Sequence, residues 1–262
     1  MEPQIAVRTS RPTRRAFLEK AQIERFFSLG WLLLPRLFKP REIKRMRRAF
    51  DRLGRRAERL PTGGDYRGSR FVIDREGLHG AVRIHRVVWC GACEPVLAEY
   101  GADPRLLRPV AELLGSPTMN QLINQAHFKM PGDGVKFPWH QDSTHRRYGQ
   151  PVWTDVNGRG SYVQTAMAID AMSECNGPLR FIPGSCRLGH VTNPDYRVPE
   201  ELAVTLTMEP GDVVMFGPYT FHSSEPNRSD QPRRALINGY AACGANRRIY
   251  PGCGSGRLLC AD

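Results

Sequence analysis

The chain of 262 residues carries 38 Lys and Arg against 26 Asp and Glu, for a net charge of +12, and is long enough to bury one sizeable core. It holds no run of about 18 apolar residues to span a bilayer, and the polar, Arg-rich start from Met1 to Arg15 lacks the apolar core of a secretory signal, so a cytoplasmic protein is expected. Pro and Gly (21 and 25) are spread without a tandem period, and with no Ser/Gly-rich linker the whole of 1–262 reads as one domain.

Taken in chain order, Ala16 to Leu29 reads as a helix, Trp31 to Leu34 as a strand, and Pro40 to Leu60 as a second, strongly basic helix whose first turn suits Pro40. In that helix Ile43, Met46, Phe50 and Leu53 recur at helical spacing, so its arginines line a solvated outer face. This is the preferred source of the net charge. The charge also permits an acidic small substrate or nucleic acid, but no aromatic-studded basic groove is recognisable, so nucleic acid is the less favoured partner. A Gly/Asp loop follows at Thr62 to Asp65, and Leu106 to Leu114 reads as a helix ending before Gly115.

Between them, Trp89-Cys90-Gly91-Ala92-Cys93 has the spacing of a thioredoxin redox box. That function requires Cys90 to head a long helix whose N-terminus stabilises a thiolate. No βαβ pattern surrounds it, and a structural role is expected instead. A zinc site would need a second such pair, which Cys175, Cys186, Cys243, Cys253 and Cys260 do not supply. The cysteines are expected to be reduced.

From about Asn120 the pattern changes to short strands divided by Gly, Pro and Asn turns: Gln121 to Lys129, Lys136 to Gln141, Tyr162 to Ile169, Leu179 to Ile182, Ala203 to Met208, Val213 to Phe216 and Arg234 to Tyr240. This is the profile of a jelly roll. The fold class is therefore mainly β with N-terminal helices (α+β): helical support over about 16–115 and a cupin-like core over about 120–242.

The chemistry concentrates in Phe137-Pro138-Trp139-His140-Gln141-Asp142. Alternate side chains of a strand share a face, so His140 and Asp142 can reach one metal ion. His222, after the strand-like Val213 to Phe216 and a turn, is the candidate third ligand of a two-His-one-carboxylate triad, which leaves open positions on Fe(II). Arg233 follows eleven residues later (233 − 222), and a guanidinium there is suited to clamp a dicarboxylate. Adjacent Arg234 is its competitor, since neighbours on a strand point to opposite faces.

These residues, with Asn176-Gly177-Pro178-Leu179-Arg180-Phe181-Ile182-Pro183-Gly184-Ser185 between the halves of the site and Gly30-Trp31-Leu32-Leu33 near the start, resemble the phytanoyl-CoA dioxygenase family of Fe(II)/2-oxoglutarate oxygenases. The resemblance runs from about Ala16 to about Ala241. It implies a double-stranded β-helix in which His140, Asp142 and His222 bind Fe(II) and take part in catalysis. It implies 2-oxoglutarate as co-substrate, with O2, and its spacing selects Arg233 over Arg234 for the 5-carboxylate. Ser224 matches a hydroxyl that helps hold that carboxylate, with turn capping as the alternative.

The implied reaction hydroxylates a small, possibly anionic molecule with release of succinate and CO2. A carboxylate at Asp142 favours hydroxylation over halogenation, because related halogenases carry a small residue there. A nucleic-acid-modifying oxygenase and a non-catalytic cupin-like binding protein are the alternatives. Cys186 departs from the family, which commonly has His after the Pro-Gly-Ser turn; the position is outside the ligand set, so the departure bears on local structure more than on chemistry.

Other polar residues are less determined. Gln125 and His127 are candidate polar liners of the co-substrate pocket, though strand pleat alone does not choose their face over that of Asn124 and Phe128. His79, His85, His145 and His190 default to structural roles, and Trp139 to a wall. The loop after Trp153, Thr154 to Gly160, suits either a substrate lid or a plain connection. Nothing in the sequence fixes an oligomeric state.

Overall fold

The computed structural model describes residues 16–75 and 80–261; the Arg-rich start and His79 lie outside them. In chain order the elements are α1 (Lys20–Leu29), β1 (Trp31–Leu34), α2 (Pro40–Glu58), β2 (Gly64–Tyr66), β3 (Ser69–Arg75), β4 (Val82–Val88), α3 (Cys90–Cys93), α4 (Pro95–Gly101) and α5 (Pro104–Leu114). There follow β5 (Thr118–His127), β6 (Phe137–His140), α6 (Asp142–Arg146), β7 (Tyr162–Ala168), β8 (Leu179–Phe181), β9 (Val204–Leu206), β10 (Val213–Phe216), β11 (His222–Ser224), β12 (Ala235–Ala242) and β13 (Arg257–Cys260).

The strands form two antiparallel sheets: a large one ordered β1-β10-β7-β12-β5-β4-β3-β2, with β13 also on β5, and a small one ordered β6-β11-β8-β9. Alternation along each strand divides its side chains between two cores. In β10, Val214 and Phe216 face inward between the sheets, where Trp31, Ala166, Phe181 and Ile237 also lie. Val213 and Met215 face the helices, with Met167, Leu236 and Tyr240. This is the expected jelly roll buttressed by helices.

The helix α2 forms as its spacing predicts. Pro40 opens it, the Glu42 carboxylate accepts the Lys39 N–H at 2.8 Å, and Ile43, Met46, Ala49, Phe50 and Leu53 are each at most 1% exposed. Its polar face is tied down by Arg47 to Asp170 (3.1 Å) and Arg52 to Glu94 (2.5 Å). Asp103 caps α5 by accepting the Arg105 N–H, and Gly115, at φ 72°, ends it.

Two parts of the expected organisation change. The segment 16–115 is not helical throughout: β2, β3 and β4 extend the large sheet, and the loop placed at Thr62 to Asp65 enters β2 at Gly64. Arginines and a β-bulge interrupt the period-2 pattern there, since Ile73 pairs with Ile84 while Val72 pairs with Arg86. The sheet also continues past 242 with β13, whose Leu258 is exposed.

Phe50, fully buried against Phe128 at a ring distance of 5.3 Å, joins α2 to the sheet. Phe50→Ala should lower the free energy of unfolding by about 3–5 kcal/mol, read by urea denaturation.

Candidate active site

The pairing of β6 with β11 places His140 opposite His222, with ring centroids 4.2 Å apart. Gln141 stays extended (φ −108°, ψ 140°), but Asp142 is not on the strand as expected; it opens the helical turn α6. One ligand atom from each of His140, Asp142 and His222 lies within 4.8 Å of the others.

The local bonding prepares these atoms. His140 Nδ1 lies 2.8 Å from Pro138 O and His222 Nδ1 lies 2.9 Å from Thr220 O. A carbonyl only accepts, so each Nδ1 carries its proton and each Nε2 is left with a lone pair. Burial, with His140 nearby, holds the His222 imidazole well below its ordinary pKa, in the neutral form a metal needs. Asp142 is 2% exposed, and its Oδ2 has no hydrogen-bond partner. A buried carboxylate oxygen left bare is costly unless a cation occupies the site. The residues present therefore fit a divalent metal.

The turn that presents them is stapled by Gln141, which donates to Gly189 O (2.9 Å) and Tyr219 O (2.6 Å) and accepts from the Val191 N–H (2.9 Å). Ser185 accepts the Phe221 N–H at 2.9 Å, fixing the start of β11. The sequence offered no signal for either role beyond polarity in a motif.

Beside the cluster is a cavity lined by His127, Phe137, His140, Gln164, Phe216, His222, Ser224, Arg233 and Ile237, among others. Arg233 is 3% exposed, donates to Gly177 O, and has an Nε without a partner. Burial pushes its pKa down to about 10, opposed only by Asp170. Gly177 is required here: at φ 72°, an added Cβ would lie 2.0 Å from Glu225 O. Arg234 points the other way, to Asp170 (2.7 Å) and Asp51 (2.6 Å).

The pleat ambiguity on β5 is resolved by pairing. Antiparallel partners share a face, and His127 pairs with Ala235 and Gln125 with Ile237, both of the cavity wall. His127 itself lines the cavity, while Gln125 stands behind it at 2.9 Å. Burial, followed by the charges of Arg86 and Arg233, keeps the His127 imidazole neutral. Asn124 turns outward to Leu97 O and Asn238.

Lys129 is a further site residue that the sequence did not single out. It is fully buried and donates to Ser224 O (3.0 Å), Ser224 Oγ (2.8 Å) and Glu225 O; burial, and then Arg233, lower its pKa to about 6. Ser224 lines the cavity and is held by this lysine, not used as a turn cap.

Among the remaining histidines, His85 pairs with Asp74 (2.5 Å) and His190 with Ser143 (2.8 Å). His145, given a structural role by default, lies beside the cluster, 5.0 Å from His140 between ring centroids; a helical turn after Asp142 brings it back. The loop after Trp153 lines a separate cleft with Phe26 and Tyr219. There Asp155, Asn157 and Ser161 bond to one another and Asn157 donates to Leu114 O, so the loop is a tied connection. Cys186 donates to Phe27 O (3.4 Å), a packing role. Arg180 covers Trp139 at 5.3 Å, and Trp139 is not among the residues that line the cavity.

The redox reading of Cys90 does not survive. Its thiol is buried and contacts Asn124 Oδ1, its helix is a single turn, and burial pushes its pKa far up, where a redox thiolate needs it lowered.

A jelly roll carrying two imidazoles and a carboxylate, next to a pocket with an uncompensated buried guanidinium, is the architecture of Fe(II)- and 2-oxoglutarate-dependent oxygenases. Residues 27–235 match the family model described as Phytanoyl-CoA dioxygenase (PhyH), and the chain belongs to that family. It is similar to an L-proline trans-4-hydroxylase of Streptomyces griseoviridis, 28% identical over 241 residues, covering 80% of this chain and 82% of that one. A methylphosphonate hydroxylase of Gimesia maris is 25% identical over 233 residues, covering 86% and 81%. The crystal structure of EctD from S. alaskensis with bound Fe superposes with a TM-score of 0.70 at 26% identity, covering 93% of this chain and 83% of that one. The protein is thus an Fe(II)/2-oxoglutarate-dependent dioxygenase. No helix among the described residues is long and apolar enough to cross a membrane.

Cys90 should resist iodoacetamide in the native protein while exposed Cys175, Cys243 and Cys260 react. Mass spectrometry of the alkylated peptides reads this directly, and rapid labelling of Cys90 would contradict its packing role.

Proposed function

We propose that His140, Asp142 and His222 hold Fe(II) and that Arg233, with Ser224, holds the 5-carboxylate of 2-oxoglutarate. His127 and Gln125 form the polar wall, and the substrate is a small molecule that is hydroxylated as 2-oxoglutarate becomes succinate and CO2. The reading is carried by one observation: both imidazoles are pinned through Nδ1, which leaves Nε2 as the free ring nitrogen of each, and the ligand atoms of the two rings and of Asp142, whose Oδ2 is bare, lie within 4.8 Å of one another.

When bound, iron supplies the oxygen activation. The chain's own residues do the rest. The His140 and His222 rings are kept neutral and oriented by backbone carbonyls. Arg233 offers its free Nε to a carboxylate that cannot reach water, a charge-assisted contact that fixes the co-substrate's orientation. Lys129 donates to Ser224 Oγ, so the Ser224 proton is free to point at the same carboxylate. Phe137 and Phe216 in the wall exclude water.

A small polar substrate is supported by relatives named for proline and methylphosphonate. A cytoplasmic location is supported by seven cysteines that form no disulfide. Treatment of the whole chain as one dioxygenase domain is supported by the two cores that share the large sheet.

His222→Ala and Asp142→Ala should each lose Fe(II) binding, measured by equilibrium dialysis, while retaining the wild-type circular dichroism spectrum. Full iron retention in either variant would sink the ligand set. Arg233→Ala should raise half-saturation by 2-oxoglutarate about tenfold to a hundredfold, and Arg234→Ala much less. Equal effects would remove the assignment of the 5-carboxylate to Arg233.

A further inference from the structure

A second cation stands on the cavity face. Antiparallel pairing sets Arg86 of β4 opposite His127 of β5, and His127 opposite Ala235 of β12. Cross-strand partners project to the same side of a sheet, so Arg86, His127 and Ala235 form one row whose last two members line the cavity. Val87 between Arg86 and Val88 is buried in the helix-side core, which fixes Arg86 on the opposite face. Arg86 also acts electrostatically on His145, whose ring lies beside His140. The Arg86 charge thus acts on His127 of the cavity wall and on His145 beside the metal cluster, on the same face of the sheet.

Among the described residues Arg86 makes no hydrogen bond or ion pair. Two arginines of similarly restricted exposure have carboxylates: Arg105 has Glu42 and Asp103, and Arg234 has Asp170 and Asp51. Burial lowers the pKa of Arg86, and no neighbouring carboxylate counters it. A partly buried cation without a counter-ion pays desolvation without return unless an anion visits. Arg233 is already matched to the co-substrate, so its neighbour across the wall is left for a different anion.

We propose that Arg86 is a second anion subsite that takes an acidic group of the substrate, a carboxylate or a phosphonate, and thereby holds the reacting carbon beside the iron. This rests on the assignment of the iron and 2-oxoglutarate sites above. A guanidinium binds either acid through paired N–H donors. Neutral analogues of the same shape would leave it unpaired and bind poorly.

The test uses the full chain loaded with Fe(II). Propionate, propylphosphonate and neutral propionamide serve as probes, each titrated anaerobically against the absorption band of the Fe(II)–2-oxoglutarate complex. With wild-type protein at least one anionic probe should shift the band saturably and propionamide should not; the acid that binds more tightly identifies the preferred group. Arg86→Gln should weaken that response about tenfold or more, with Arg86→Lys intermediate, while half-saturation by 2-oxoglutarate changes far less. The proposal is overturned if no anion perturbs the wild-type band, if propionamide acts as well as the anions, or if Arg86→Gln raises the 2-oxoglutarate requirement as Arg233→Ala does. Failure of the underlying reading looks different: the wild-type protein would then form no such band.

Discussion

The register in which β6 lies against β11 is the constraint on which the site depends. It sets His140 opposite His222, and β8 holds β11 from the other side by pairing Phe181 with His222. A slip of one residue would send His222 to the other face of the small sheet and leave Asp142 with no imidazole pair. The strands involved are only three and four residues long, so backbone pairing alone is a weak guarantee. Side chains supply the remainder: Gln141 staples the turn after β6, Ser185 fixes the start of β11, and Phe181 packs between Trp31 and Phe216.

The second determinant is electrostatic. Lys129 and Arg233 are backbone partners, each accepting the other's N–H (2.9 and 3.1 Å), so two cations project to one face. Neither has an ion-pair partner among the described residues, and the pKa of each falls on burial. Such an arrangement opposes stability in the empty protein. It is the expected arrangement where a dianionic co-substrate completes the charge balance, since binding strength then comes from charges the fold has already desolvated. Arg234, one residue on, shows the contrary case. Asp170 accepts from both Arg234 and Arg47 of α2, so that arginine ties helix to sheet.

Much of this was legible along the chain. The helices α1, α2 and α5 follow from apolar spacing with Pro40 and Gly115 as punctuation, and the strands β1, β6, β7, β10 and β12 fall within a few residues of their expected bounds. His140, Asp142, His222 and Arg233 were legible because each sits in a short motif whose chemistry requires that residue type. The strands β2 to β4 were not, since their arginines interrupt the alternation and the β-bulge opposite Val72 and Ile73 breaks the period.

What the sequence by itself determined is the set of candidate metal ligands and the periodicities that make a jelly roll, because both are properties of neighbouring residues. What only the tertiary structure decided is every relation between distant segments. The backbone geometry after Gln141 turns Asp142 into a helix and brings His145 back to the cluster. Pairing of β5 with β12 chooses the His127 face over that of Asn124, and pairing with β4 brings Arg86 to it. Lys129 shares the alternating face of Gln125 and His127 in sequence, with no partner to be read from it; it becomes the support of Ser224 only because the chain folds 95 residues of separation into a contact of 2.8 Å. Burial, pairing and uncompensated charge arise from such long-range contacts, and a linear pattern carries no record of them.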